Sequence, residues 1–206
     1  MPTEYQAWAE VVVDATNELG TLLGCVPDEG WALPAAHVDW DCRRAADHIA
    51  SVFVHYAAQV MGRPRDHYVK FGFDTSRAET PDELRELVAV TGGLLSMAVG
   101  TAAPGAVSWH PHGFFSPAGF AAVGSAEALV HGGDIATGLG LAWSPEPGLC
   151  ERVLSAVFPD AAREPGASAL AMLLAQTGRG QRSAGEPPRA WSYSAAAVAP
   201  LSAREP

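Results

Sequence analysis

The chain has 206 residues, and its 13 Lys and Arg against 23 Asp and Glu give a formal net charge of 13 − 23 = −10. That length suits one large domain or two small ones with a proper core, and 48% hydrophobic with 17% charged residues excludes wholesale disorder. The acidic balance argues against nucleic acid or an anionic membrane as the main partner.

The first half of the chain carries two segments with the periodicity of amphipathic helices. Apolar residues recur at three- and four-residue steps over residues 4–23 and again over residues 39–61. The stretch 63–80 has no clean period and is predicted to be a connecting loop.

Two further long helices are predicted from their start signals. Thr80 and Ser116 can each cap a helix, and the proline that follows each of them suits the first helical position. Gly138 and Gly140 are predicted to end the fourth helix near residue 139.

The remainder of the chain predicts shorter elements. Helical pieces are expected at 149–158 and 167–176, and strand-like alternation is confined to ambiguous stretches such as 190–198. We predict an all-α fold, a four-helix bundle with extra short C-terminal helices, over residues 1–179. Residues 180–206, rich in Gly, Pro and Ser, are predicted to be a tail.

A polar patch interrupts the core-facing side of the fourth helix. Glu127 and His131 are four residues apart, so they project from one face with Cβ atoms about 6 Å apart, close enough to share a metal ion. Asp134 continues the same stripe. A buried carboxylate without a partner costs on the order of several kcal/mol, so a metal, an arginine or a hydrogen-bonded histidine must compensate it.

The second helix can supply another imidazole. His48 lies among residues that otherwise face inward, and His55 falls on nearly the same stripe. One histidine of this helix with Glu127 and His131 would give two nitrogens and one oxygen, the donor set that catalytic zinc uses with an open position. The alternatives are a solvated Glu–His pair and a hydrogen-bonded core histidine.

A loop before the fourth helix carries His110 and His112. An HxH pair can bind metal, but no carboxylate or cysteine stands beside it in the sequence. We therefore predict that these histidines line a pocket or pack against the neighbouring aromatic residues.

Three motifs in order resemble the mycothiol-dependent maleylpyruvate isomerase family, which belongs to the DinB-like metal-binding four-helix bundles. They are WDCRRAADH at 40–48, AEALVHGGDIA at 126–136 and LLAQTGR at 173–179. The resemblance covers roughly residues 1–180 and implies a DinB-like bundle with a metal site.

The resemblance also implies roles for individual residues. The family's metal ligands fall on His48, Glu127 and His131. Asp134 falls on the acidic position after the second histidine and is predicted to assist catalysis by holding that imidazole. Arg179 is predicted to bind an anionic group of the cofactor, with a solvated tail residue as the alternative.

Two features depart from the family pattern. Gly132 and Gly133 stand where the family often has an aromatic residue, which predicts less bulk beside the metal and a different or larger substrate. His55 has no family counterpart and is predicted to be a core or rim histidine.

The function implied by the resemblance is that of a metal-dependent, thiol-using enzyme. A metal-bound thiolate, from mycothiol, attacks a small electrophilic substrate and gives isomerisation or S-transfer. Zinc is the first choice of divalent metal, with nickel, iron or manganese as alternatives. A hydrolase or lyase that uses metal-bound water and a non-catalytic metal-binding bundle are the competing hypotheses.

The expected partners are a small electrophile and a low-molecular-weight thiol, with the chain as a monomer or homodimer, and neither nucleic acid nor membrane. No apolar run reaches about 18 residues, and the N-terminal sequence lacks the basic region of a secretion signal. The three cysteines form no CxxC pair. These features predict a cytoplasmic protein.

Overall fold

The computed structural model describes residues 3–162, 164–179 and 193. Its helices are α1 (Glu4–Gly24), α2 (Cys42–Gly62), α3 (Pro81–Gly100), α4 (Pro117–Leu139), α5 (Pro147–Val157) and α6 (Ala169–Gln176), with a 3-10 turn at Asp28–Ala32. Two short strands, β1 (Ser108–His110) and β2 (Gly113–Phe115), lie between α3 and α4. The predicted all-α bundle is confirmed.

Side-chain caps fix where the long helices begin. Thr80 and Ser116 accept hydrogen bonds from the third backbone N–H that follows each of them, and a proline opens both α3 and α4, as predicted. The second helix starts three residues later than expected, because Asp41 caps it by accepting from the Arg44 N–H at 2.7 Å. Gly140, with φ of +64°, ends α4 in the left-handed conformation that favours glycine.

The fourth helix forms the centre of the bundle. It packs against all five other helices, α1, α2, α3, α5 and α6, and every residue from Pro117 to Ala136 is buried. Because α4 is apolar nearly all round, as a central helix must be, its few polar side chains are enclosed by neighbouring helices. Among the described residues, no helix has the length and apolarity needed to cross a bilayer.

The short hairpin of β1 and β2 was not predicted. The strands pair antiparallel, with Ser108 opposite Phe115, and Gly113 supports the turn with a φ of +127°. Strands of three residues are too short to show an alternating pattern. The predicted tail at 180–206 and the ambiguous stretch 190–198 lie outside the described residues, Tyr193 excepted.

A single buried side chain, Gln59 of α2, ties two loops to the bundle. Its amide nitrogen donates to the backbone oxygens of Trp109 at 2.7 Å and His67 at 3.3 Å. Its amide oxygen accepts from the Val69 N–H at 2.8 Å. The hairpin and the loop between α2 and α3 are thereby held against the same helix.

Replacing Gln59 with leucine is expected to lower the free energy of unfolding by about 2 kcal/mol, because two backbone carbonyls and one backbone N–H lose their partner in a part-buried setting. Denaturant unfolding followed by circular dichroism measures this loss. A change below about 0.5 kcal/mol would show that water replaces the amide without cost.

Candidate metal centre

Three side chains from two helices converge inside the bundle. The Glu127 Oε2 atom of α4 lies 3.5 Å from His48 Nε2 of α2 and 3.2 Å from His131 Nε2, one turn further along α4. One ligand atom from each residue lies within 4.8 Å of the other two. Within the described part of the chain, no other group of three such residues is this close.

Access to this group is from the α2 side. The side chains of Glu127 and His131 are only 12% and 8% exposed, whereas that of His48 is 35% exposed. His48 is therefore the member of the group that a small molecule can reach most readily from solvent.

The carboxylate of the group is charged despite its burial. Burial by itself raises the pKa of Glu127, but hydrogen bonds from His131 and His48 outweigh it and hold the pKa well below its usual range. Burial lowers the pKa of His131, yet hydrogen bonds to Asp134 and Glu127 outweigh that effect and raise it.

Asp134 lies behind His131, on the side away from Glu127. Its Oδ2 atom is 3.0 Å from His131 Nδ1, and its side chain is fully buried. Because Nδ1 contacts Asp134, Nε2 is the ring nitrogen of His131 that faces the converging group. A carboxylate behind an imidazole is the usual partner of a metal-ligating histidine.

Arg179 completes this line of contacts. Its Nε donates to Asp134 Oδ1 at 3.0 Å and its Nη2 to Oδ2 at 2.9 Å, while Nη1 donates to the Thr177 carbonyl at 2.9 Å. Gly178 allows the necessary turn after α6 with a φ of +78°. These contacts favour a role in orienting Asp134, and binding of an anionic cofactor group by Arg179 stays a prediction.

Trp40 packs against both imidazoles. Its ring centroid lies 4.9 Å from that of His48 and 5.4 Å from that of His131. The loop that carries Trp40 is fixed to α4, because the Ala36 N–H donates to the Asp134 carbonyl at 2.9 Å. Sequence reasoning recognised this tryptophan as part of a motif but assigned it no contact with the site.

An aromatic cluster adjoins the group from the hairpin side. Burial and the charge of Glu127 raise the pKa of Tyr68 to about 12. His110 stacks on Phe115 with ring centroids 4.2 Å apart, and burial lowers its pKa to about 4. His110 thus packs among aromatic rings, as predicted, while His112 is exposed.

His55 lies apart from the converging residues. Its Nδ1 atom is 2.7 Å from the Ser51 carbonyl oxygen, and its ring stacks on Phe71 with centroids 4.5 Å apart. The structure therefore distinguishes the two histidines of α2, since only His48 joins Glu127 and His131.

Residues 12–136 match the family described as the mycothiol maleylpyruvate isomerase N-terminal domain. The chain belongs to this family. The matched region holds His48, Glu127, His131 and Asp134, whereas Arg179 lies beyond it. No match was found among curated proteins or among solved structures.

The prediction that Gly132 and Gly133 leave less bulk beside the metal, and therefore a wider pocket, is wrong. A Cβ atom at Gly132 would lie 2.5 Å from the Trp143 ring, and one at Gly133 would lie 3.0 Å from the Leu174 side chain. Both neighbours come from segments that follow α4, and they occupy the space that the missing side chains leave. The glycines therefore permit close packing around the central helix and do not enlarge the site.

Proposed function

We propose that this chain is a metal-dependent, thiol-using enzyme of the mycothiol-dependent isomerase or S-transferase type. The observation that carries the proposal is the convergence of His48, Glu127 and His131 in a member of a mycothiol isomerase family. Neither feature alone names a reaction, since a family name covers many substrates and a His–Glu–His group serves many metals.

The donor set suits a divalent metal. Two imidazole nitrogens and one charged carboxylate oxygen match the ligands of catalytic zinc, which keeps a further position open. Nickel, iron and manganese accept similar ligands, so zinc is the first choice and not the only one. When bound, the metal would stabilise a thiolate over a thiol near neutral pH.

The residues around the group support that chemistry. Asp134 holds the His131 imidazole with Nε2 directed at the site, and Trp40 packs against both imidazoles. The exposed side of His48 leaves room for thiol and substrate to approach. The thiolate sulfur adds to an electrophilic carbon of the substrate and shifts the electron pair of the double bond onto the substrate. Loss of the sulfur after bond rotation restores the double bond and gives isomerisation, whereas retention of the sulfur, with the proton that the thiol released returned to the substrate, gives S-transfer.

Metal content tests the site directly. The purified chain is expected to hold about one divalent metal, and His48→Ala and His131→Ala should each weaken binding by more than the roughly 100-fold that loss of an outer partner causes. Elemental analysis and chelator competition measure this. His55→Ala is the matched control, because that histidine lies on the same helix outside the group. Full metal retention in both variants would eliminate the site.

Thiol dependence tests the reaction class. Turnover of an electrophilic substrate is expected only with mycothiol or a related thiol and metal-loaded protein. Turnover by water alone would favour a hydrolase or lyase, and metal binding without either activity would favour a non-catalytic bundle.

A further inference from the structure

The two imidazoles of the candidate metal centre are supported in different ways. His131 has a carboxylate behind it, because its Nδ1 atom lies 3.0 Å from Asp134 Oδ2. His48 faces Glu127 with its Nε2 atom, but its Nδ1 atom has no hydrogen-bond partner among the described residues. A ligating histidine usually donates its second ring nitrogen to a carboxylate, a carbonyl or water. His48, whose side chain is 35% exposed, therefore lacks the fixed partner that orients His131.

The indole of Trp40 lies where it can supply that support. Its ring centroid is 4.9 Å from that of His48, with the two rings tilted by 46°, and 5.4 Å from that of His131. Aromatic rings attract each other at centroid separations of about 4.5–7 Å. The Arg44 guanidinium carbon lies over the same indole, 5.4 Å from its centroid, and a cation there stabilises the ring. A change of the His48 rotamer would break its contact with the indole, so the packing favours the orientation in which Nε2 faces Glu127.

The loop that carries Trp40 is itself fixed at several points. The Ala35 N–H donates to the Trp40 carbonyl at 2.9 Å, and His37 forms the turn between them with a φ of +63°, which is uncommon for a residue other than glycine. Backbone in such a conformation persists where surrounding contacts hold it, and it is frequent at functional sites. The Ala36 N–H donates to the Asp134 carbonyl at 2.9 Å. The turn is thus held against the residue of α4 whose side chain supports His131.

We propose that Trp40 is a positioning residue that holds the His48 imidazole in its ligating orientation by ring packing. It takes the place of the hydrogen bond that Asp134 provides to His131. This inference rests on the proposed metal site. The indole has an N–H donor and no acceptor, so Trp40 cannot itself be a ligand and acts only on the affinity and geometry of the metal site.

The test compares Co²⁺ binding by the full-length chain and by three variants. Trp40→Phe keeps an aromatic ring beside His48, and Trp40→Leu leaves an apolar side chain without a ring. Trp8→Leu is the matched control, because Trp8 is also a partly buried tryptophan that packs against the core and lies on α1, which contributes no residue to the group. Dissociation constants come from chelator competition, and the visible absorption bands of bound Co²⁺ report its ligand geometry. Denaturant unfolding of the metal-free variants measures their stability separately.

We expect Trp40→Leu to bind Co²⁺ about 10–100-fold more weakly, as loss of an outer partner of a ligand does, with altered absorption bands. Trp40→Phe should recover most of the affinity and the bands, and Trp8→Leu should match the unmodified chain in both. Unchanged affinity and bands in Trp40→Leu would overturn the inference while the metal site stands. An equal loss in Trp8→Leu or in Trp40→Phe would overturn it too, since general destabilisation or the indole's size would then be responsible.

A measurement on the unmodified chain does not depend on the folding of any Trp40 variant. The ring current of the indole should displace the proton NMR signals of the His48 ring, assigned by their loss in His48→Ala, from the values of a free histidine. Undisplaced signals would overturn the inference. An unmodified chain that shows the displaced signals but binds no Co²⁺ would remove the proposed function itself, and with it a positioning role for Trp40.

Discussion

Replacing Arg179 with methionine is expected to lower the free energy of unfolding by about 3 kcal/mol, because it leaves a buried carboxylate without its cation. The side chains of Arg179 and Asp134 are 8% and 0% exposed. Asp134 keeps its contact with His131, which places the expected loss at the lower end of the range for broken buried pairs. Denaturant unfolding of the metal-free chain at neutral pH measures it.

A surface pair provides the matched control for this variant. Arg85 pairs with Asp82, whose side chain is 87% exposed, so Arg85→Met should cost no more than about 1 kcal/mol. Adding Asp134→Asn to Arg179→Met removes the unpaired charge and should restore part of the lost stability. If Arg179→Met were no more destabilising than Arg85→Met, the buried pair would contribute nothing to folding.

The effect of Arg179→Met should also depend on pH in a defined direction. Burial raises the pKa of Asp134, but hydrogen bonds from His131 and Arg179 outweigh it and the net pKa is lowered. A carboxyl with a lowered folded-state pKa contributes stability above its unfolded pKa, and this contribution is lost as the pH falls through the folded value. The difference in free energy of unfolding between the unmodified chain and Arg179→Met should therefore be largest at neutral pH and should shrink in strong acid.

Gly138→Ala is expected to destabilise the chain by about 3 kcal/mol, as overpacking against rigid neighbours does. In most helix interiors the same change stabilises by about 1 kcal/mol. A Cβ atom at Gly138 would meet the backbone of the loop before α2, with Ala36 N at 2.9 Å and Ala35 Cα at 3.0 Å. Backbone atoms cannot move aside as a flexible side chain can. Thermal and denaturant unfolding measure the loss.

Two other helix glycines serve as controls for Gly138→Ala. Gly20 lies in α1 and Gly93 in α3. Among the described residues, and leaving aside the backbone of their own helix and their chain neighbours, no heavy atom lies within 4 Å of a Cβ added at either position. Gly20→Ala and Gly93→Ala should therefore stabilise by up to about 1 kcal/mol. Stabilisation by all three substitutions would show that the loop does not press on α4. Because this loop carries Trp40, a destabilised Gly138→Ala chain should also bind metal more weakly.

The sequence was sufficient to predict those features of the fold and of the site that depend on interactions between residues close together in the chain. The capping residues Thr80 and Ser116 and the prolines after them located the starts of α3 and α4, because a helix start depends on side chains within one turn of the first N–H groups. Helical periodicity also placed Glu127 and His131 on one face, and the structure shows their side chains 3.2 Å apart. The family resemblance, inferred from three motifs, is confirmed by the match over residues 12–136.

The same local reasoning misjudged residues whose partners are distant in the chain. Gly138 and Gly140 were predicted to end α4 near residue 139, and the helix does end at Leu139, but that reasoning did not show that Gly138 also lets the loop backbone approach. Gly132 was predicted to open a pocket, but the Trp143 ring fills that space. A glycine has the same appearance in a sequence whether it ends a helix, enlarges a cavity or admits a neighbour.

What the sequence by itself determined is the set of helices and the faces on which polar side chains stand, because both follow from hydrogen bonding and periodicity within a few residues. Tertiary structure alone decided that Trp40 packs against both imidazoles and that Arg179 binds Asp134. It also placed His48, and not His55, beside Glu127, a choice that helical periodicity left open and that the family resemblance implied. These contacts join segments far apart in the chain, and they depend on how the helices pack, which no local pattern specifies.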